Sequence, residues 1–220
     1  MRIEDEPRPA VFVTGATGYM GRRLCAKLVA RGHIVRGLAR KGSEGRLAIG
    51  CEAVIGNALD AATYRGRVEG CGVLVHLVGV AHPSPAKAAE FRSIDLASAR
   101  EAIAAALAAG VGRFVYVSVA HPAPLMREYI AARTEGEAAL RESGMDAVIL
   151  RPWYVLGPGH RWPYVLIPAY WILGALPATR EGARRLGMVT LSQMVRALAA
   201  AVEHPDRGVR IVDAQAIKSS

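Results

Sequence analysis

The chain has 220 residues, of which 52% are hydrophobic and 21% charged, with a formal net charge of +9. That is the composition of an ordinary globular domain with ample material for a core. No run approaches the roughly 18 apolar residues of a membrane-spanning helix, no signal peptide opens the chain, and the basic residues are scattered rather than blocked, which speaks against a nucleic-acid partner. The charge reads instead as a solvated basic surface that an anionic cofactor would use in part.

Residues 1–9, MRIEDEPRP, read as a loose lead-in, and 10–220 as one domain. AVFVT (10–14) predicts a short buried strand, and a helix follows from about Met20 to Ala30. Further strands are expected at 33–40, 53–55, 73–78, 114–119, 147–151 and 209–212. Helices are expected at 96–109, 127–142 and 191–203. Continuous Val/Ile/Leu strands alternating with helices predict an α/β domain, a doubly wound, Rossmann-like parallel sheet. Gly32, Gly110 and Gly144 stand where helix ends need them, and Asp95 stands where it can cap the helix at 96–109. The three cysteines (Cys25, Cys51, Cys71) lie far apart in sequence, with no CxxC and no metal spacing. They read as reduced core thiols of a cytoplasmic protein, and no metal is expected.

Between the first strand and the first helix lies TGATGYMG (14–21). Gly15 allows a tight turn, Gly18 lets a pyrophosphate approach the backbone, and Gly21 lets the helix pack closely, with Thr17, Tyr19 and Met20 between them. The helix N-terminus then offers its N–H groups to phosphate. The second strand ends in Arg40 and Lys41 with no acid, and Arg22 is in reach of the same place. An acid there would bind the ribose hydroxyls of NAD, whereas guanidinium grips a 2′-phosphate. The expected cofactor is therefore NADP(H), in preference to NAD(H).

TGATGYMG is followed in order by GNALD (56–60), HLVG (76–79), the ID pair (94–95), GVGRFVYVS (110–118), Tyr129 and ILRPWYVLGPG (149–159). Together they resemble an extended or atypical short-chain dehydrogenase/reductase, in particular the NmrA-like, isoflavone-reductase-like branch. The resemblance implies further cofactor contacts at Asn57 and Ala58, at Leu77, Val78 and Gly79, and at Pro152 and Val155. It also implies a catalytic group in which Tyr129 is the general acid and Ser118 polarises the substrate oxygen. Arg133 stands where relatives carry a lysine, and Ala120 is an alternative match to the catalytic hydroxyl, so the site is altered in two places. Ser118, Tyr129 and Arg133 are expected to touch the cofactor as well.

The stretch from Trp153 to Leu176 is rich in aromatic and aliphatic residues and lies in an irregular region (about 153–187) where such relatives build a substrate pocket. It fits a buried helix, a pocket for a small hydrophobic substrate, or a peripheral membrane contact, and the residues leave all three open. Alanines along the helices at 96–109 and 127–142 suit a homodimer of the kind relatives form. Two functions remain: an oxidoreductase acting on a hydrophobic carbonyl- or quinone-like substrate, or an NADP(H)-binding regulator or assembly factor without turnover.

Overall fold

A computed structural model describes residues 9–123, 126–158, 186–204 and 207–220. Seven strands form one sheet in the order β3-β2-β1-β4-β5-β6-β9. They are β1 (Ala10–Thr14), β2 (Val35–Ala39), β3 (Glu52–Ile55), β4 (Cys71–His76), β5 (Arg113–Val117), β6 (Asp146–Arg151) and β9 (Val209–Asp213). Every pairing is parallel, with Val11 opposite Val35, Val13 opposite Val75, and Val115 opposite Val148. The chain order reverses between β1 and β4, which is where doubly wound sheets bind ligands.

Alternation along each strand divides the core in two. Val11 and Val13 face α1 (Gly21–Ala30), whose Leu24 and Leu28 pack with Met194 and Leu198 of a later helix, Leu191–Glu203. Phe12, Leu74, Phe114 and Tyr116 face the other way, onto Ala99, Ala102 and Ala106. Small alanines opposite large rings let that helix lie close to the sheet.

The helix expected from residue 96 begins earlier. Ala88–Glu90 (α2) runs through a wide π-turn at Phe91–Leu96 into α3 (Ala97–Ala108). Asp95 is therefore inside a helical run and does not cap it; the residue before α3 is Leu96, with no side-chain cap. Next come α4 (Arg127–Glu142) and the helix Leu191–Glu203 (α5), both with the bounds the sequence predicts. A two-residue ladder of β7 (Val155–Leu156) with β8 (Val189–Thr190), and a final helix α6 (Ala214–Ser219), were not foreseen. Residues 159–185, which hold most of the aromatic and aliphatic stretch and of the expected substrate region, lie outside the described residues.

Candidate dinucleotide-binding site

All the candidate residues gather at the carboxyl edge of the sheet. Gly15 has φ +72, and a Cβ there would lie 2.9 Å from the Leu77 carbonyl carbon, so only glycine lets the turn after β1 pass the end of β4. The Gly18 N–H donates to Gly15 O (3.0 Å), and Arg22 N–H to Gly18 O (3.2 Å). A Cβ on Gly21 would collide with Gly15 O and sit 2.8 Å from Ala16 Cα, so this glycine seats α1 on the loop. Helix α1 has neither a side-chain cap nor an acid in its first turn. Its positive end is left to a ligand anion.

Thr17, Tyr19 and Met20 are half-buried around this turn. Arg23, which no sequence motif marks, donates to Tyr19 O (2.9 Å) with its guanidinium 5.1 Å from the Tyr19 ring centre. Arg22, Arg40 and Lys41 are exposed. Among the described residues no carboxylate pairs with Arg40 or Arg22. Glu44 lies close to Lys41: its carboxyl is held low by its own and Gly42's backbone N–H groups, with a smaller contribution from Lys41.

After β3, Asn57 Oδ1 accepts from Leu59 N–H (3.1 Å), which shapes its own loop, while Ala58 packs against the core. After β4, Leu77 N–H donates to Thr14 O (3.2 Å) and joins the two strand ends at the switch point. Pro152 O accepts Ala120 N–H (2.9 Å), and Val155 pairs with Val189, so both of these expected cofactor positions are held by the backbone.

Arg133 is at the centre of the site. It is buried, donating from Nη1 to Val117 O (2.9 Å) and from Nη2 to Val78 O (3.3 Å), with an ion pair from Nη2 to Asp95 Oδ1 (2.6 Å). That last contact is charge against charge without hydrogen-bond alignment, and Asp95 Oδ1 makes no hydrogen bond. The other carboxylate oxygen accepts Val80 N–H (2.9 Å). Arg133 thus ties α4 to the ends of β4 and β5 and to the π-turn. Gly79 is required here because a Cβ would strike Arg133 Nη2. Burial works against the guanidinium charge, but Tyr129, Tyr116 and Asp95 together outweigh it. For Asp95, burial dominates and raises the carboxyl pKa against the pull of Arg133 and Val80 N–H. A desolvation cost larger than the ion-pair gain is normal for buried pairs.

Tyr129 lies one turn before Arg133 on α4, with the Arg133 guanidinium carbon 5.3 Å from its ring centre and the Phe91 ring tilted against it at 5.0 Å. Tyr129 is half-buried. His76, at the end of β4, is fully buried; its Nδ1 is 2.9 Å from Thr14 Oγ1 and its Nε2 3.4 Å from Ser98 Oγ. Burial, helped by the Arg133 charge, pushes its pKa down to about 3, so it is neutral.

Ser118 is buried and bonded within the protein. Its hydroxyl donates to Glu137 Oε1 (2.6 Å), a carboxylate that also takes Arg151 Nε (2.9 Å) and Arg141 Nη2 (3.1 Å). Burial works against the Glu137 charge, yet these donors hold its pKa below the usual range. Neither Glu137 nor Arg151 stood out in sequence, because an acid inside a helix and an arginine at a strand end are the commonest of surface patterns. Among the described residues no cluster of His, Cys, Asp and Glu could hold a metal, and no helix is long and apolar enough to cross a membrane.

Sheet order, glycine turn and the open end of α1 together define a dinucleotide-binding α/β domain. The chain belongs to the NAD(P)H-binding family whose model matches residues 15–165, in keeping with the resemblance to atypical short-chain dehydrogenase/reductases. It is 30% identical over 168 residues to a 4-hydroxy-2-methyl-3-oxo-4-farnesyl-3,4-dihydroquinoline-1-oxide ketoreductase of Stigmatella aurantiaca, covering 66% of this chain and 50% of that protein. It is 32% identical over 170 residues to a ceramide reductase of Caulobacter vibrioides, covering 71% and 50%. The chain thus spans about half the length of these relatives. Among solved structures, the Bordetella bronchiseptica enzyme WbmH in complex with NAD+ superimposes with a TM-score of 0.69 over 94% of this chain and 75% of that one, at 21% identity, a likeness of fold.

Proposed function

We propose that this chain carries out NADP(H)-dependent reduction of a carbonyl group on a hydrophobic substrate. The observation that carries the reading is the pairing of Tyr129 with the buried charge of Arg133 at the strand ends where the family binds its dinucleotide. The bound cofactor would supply the hydride. Tyr129 gives its phenolic proton to the carbonyl oxygen, and the guanidinium beneath the ring favours the phenolate left behind. The glycine turn and the start of α1 hold the pyrophosphate, and Arg40, exposed and without an ion-pair partner among the described residues, takes the 2′-phosphate. That the two relatives are named for reducing farnesyl-bearing and ceramide substrates supports a large apolar ketone.

A second reading is favoured by one observation: the Ser118 hydroxyl and both Arg133 η-nitrogens are committed to protein groups. On that reading the site holds NADP(H) without turnover and the chain acts as a regulator or assembly factor. Incubation with NADPH and a panel of long-chain β-keto esters, aliphatic ketones and quinones separates the two. The reductase reading expects an alcohol or hydroquinone formed in step with NADPH loss, detected by mass spectrometry. Tight NADPH binding with no product from any of them supports the second reading.

A further inference from the structure

Cys25 and Cys51 are 26 positions apart in sequence, yet the fold brings them together. Cys25 lies on α1, one turn before Val29 and on the same face. Gly50, at φ +82, lies so close to α1 that a Cβ on it would be 2.8 Å from Val29 Cγ1. The next residue, Cys51, turns its sulfur in towards Gly37, where a Cβ would lie 2.8 Å from Cys51 Sγ and 2.9 Å from Ala16 Cβ. Cys25, Ala16, Val29 and Cys51 accordingly share one apolar cluster. All three cysteines are free thiols, and Cys71 belongs to the cluster on the opposite face of the sheet.

We propose that Cys25 and Cys51 are a reversible dithiol–disulfide pair, and that closing the disulfide weakens dinucleotide binding at the adjoining glycine turn. Cys51 is half-buried and Cys25 fully buried, so an oxidant reaches Cys51 first. The neighbouring Cys25 thiol lowers the pKa of Cys51, and Cys51, together with burial, raises that of Cys25, while the Cys51 thiol itself donates to Glu52 O (3.9 Å). A hydroperoxide is the oxidant class that fits. The Cys51 thiolate attacks one peroxide oxygen, the O–O bond breaks and hydroxide leaves, giving a sulfenic acid. Cys25 then attacks the Cys51 sulfur, its proton goes to the departing hydroxyl, and water is released. The two thiols lose two electrons to one peroxide, and a thiol reductant reverses the change.

Bond formation draws the sulfurs from non-bonded contact to about 2.05 Å. Close packing of Gly37 on Cys51 and of Gly50 on Val29 means that drawing the sulfurs together shifts α1 or the segment before β3. Ala16, in contact with this site, lies between Gly15 and Thr17, and the shift therefore passes into the turn that meets phosphate.

The test uses the reduced protein, exposed to a few equivalents of hydrogen peroxide, alkylated with N-ethylmaleimide and digested with trypsin. The expected product is LCAK (24–27) joined to LAIGCEAVIGNALDAATYR (47–65), with Cys71 alkylated and both thiols restored by dithiothreitol. Whichever nicotinamide dinucleotide the reduced protein binds more tightly should bind at least about threefold more weakly after oxidation, and Cys51→Ala should abolish both the link and the change. Alkylation of both Cys25 and Cys51 after peroxide, or Cys51 sulfinic acid beside a free Cys25, overturns the pair. A linked peptide with unchanged dinucleotide affinity overturns its coupling to the glycine turn.

Discussion

Arg133 Nη2 lies 2.6 Å from Asp95 Oδ1 with 6% and 0% of the two side chains exposed, so the charge at the centre of the site is balanced by a carboxylate inside the helical run at 88–108. Removing one member of a buried pair leaves the other uncompensated, at a cost of about 3–5 kcal/mol. Asp95→Ala should lower stability by that amount in urea unfolding. Arg133→Lys keeps the charge but cannot reach Val117 O, Val78 O and Asp95 in the same geometry. It should destabilise by about 1–3 kcal/mol, even though relatives carry lysine at this position. A lysine variant as stable as wild type would show that the two carbonyl contacts contribute little.

His76 makes the fold sensitive to acid. Its pKa is down to about 3 in the folded chain, against 6.5 as the ordinary value. The unfolded chain therefore takes up the proton first. The contribution of His76 is complete above about pH 6.5 and lost as pH falls towards 3, at no more than about 1.4 kcal/mol per pH unit. Urea midpoints at pH 7, 6 and 5 should fall more steeply for wild type than for His76→Asn. Parallel falls would contradict a neutral buried His76.

Arg40 carries the proposed preference for NADPH. Calorimetric titration should give NADPH a Kd at least about tenfold below that of NADH, about 1.4 kcal/mol, and Arg40→Ala should remove most of the difference. Equal affinities in the wild type would assign Arg40, Lys41 and Arg22 to the solvated surface.

Much of the frame was legible in sequence because it is local: β1, α4 and α5 have the bounds that strand composition and the 3.6-residue period predict, and Gly15 and Gly21 sit where the turn requires them. Contacts made at long range were not. Asp95 before an alanine-rich run reads as a cap, but the helix was already under way, and the π-turn sends Asp95 to Arg133. Ser118 reads as a catalytic hydroxyl, and nothing in the sequence shows that it donates its hydrogen bond to Glu137, 19 positions on. Cys25 and Cys51 look unrelated by spacing, and only the packing of Gly50 on Val29 brings them together. Helix α6 is short, and its one local sign is Asp213, which accepts from Ala216 N–H (2.8 Å).

In the proposed reduction Tyr129 donates the proton that accompanies hydride transfer to a ketone. The most direct test is a single-turnover measurement of NADPH oxidation with a ketone that the wild type reduces, set beside the NADPH Kd, for wild type and Tyr129→Phe. A general acid contributes roughly 10²–10⁴-fold. Loss of the phenolic hydroxyl should therefore slow the chemical step by at least about a hundredfold while the Kd stays within about threefold. A phenylalanine variant that transfers hydride at the wild-type rate would contradict a proton-donating role for Tyr129.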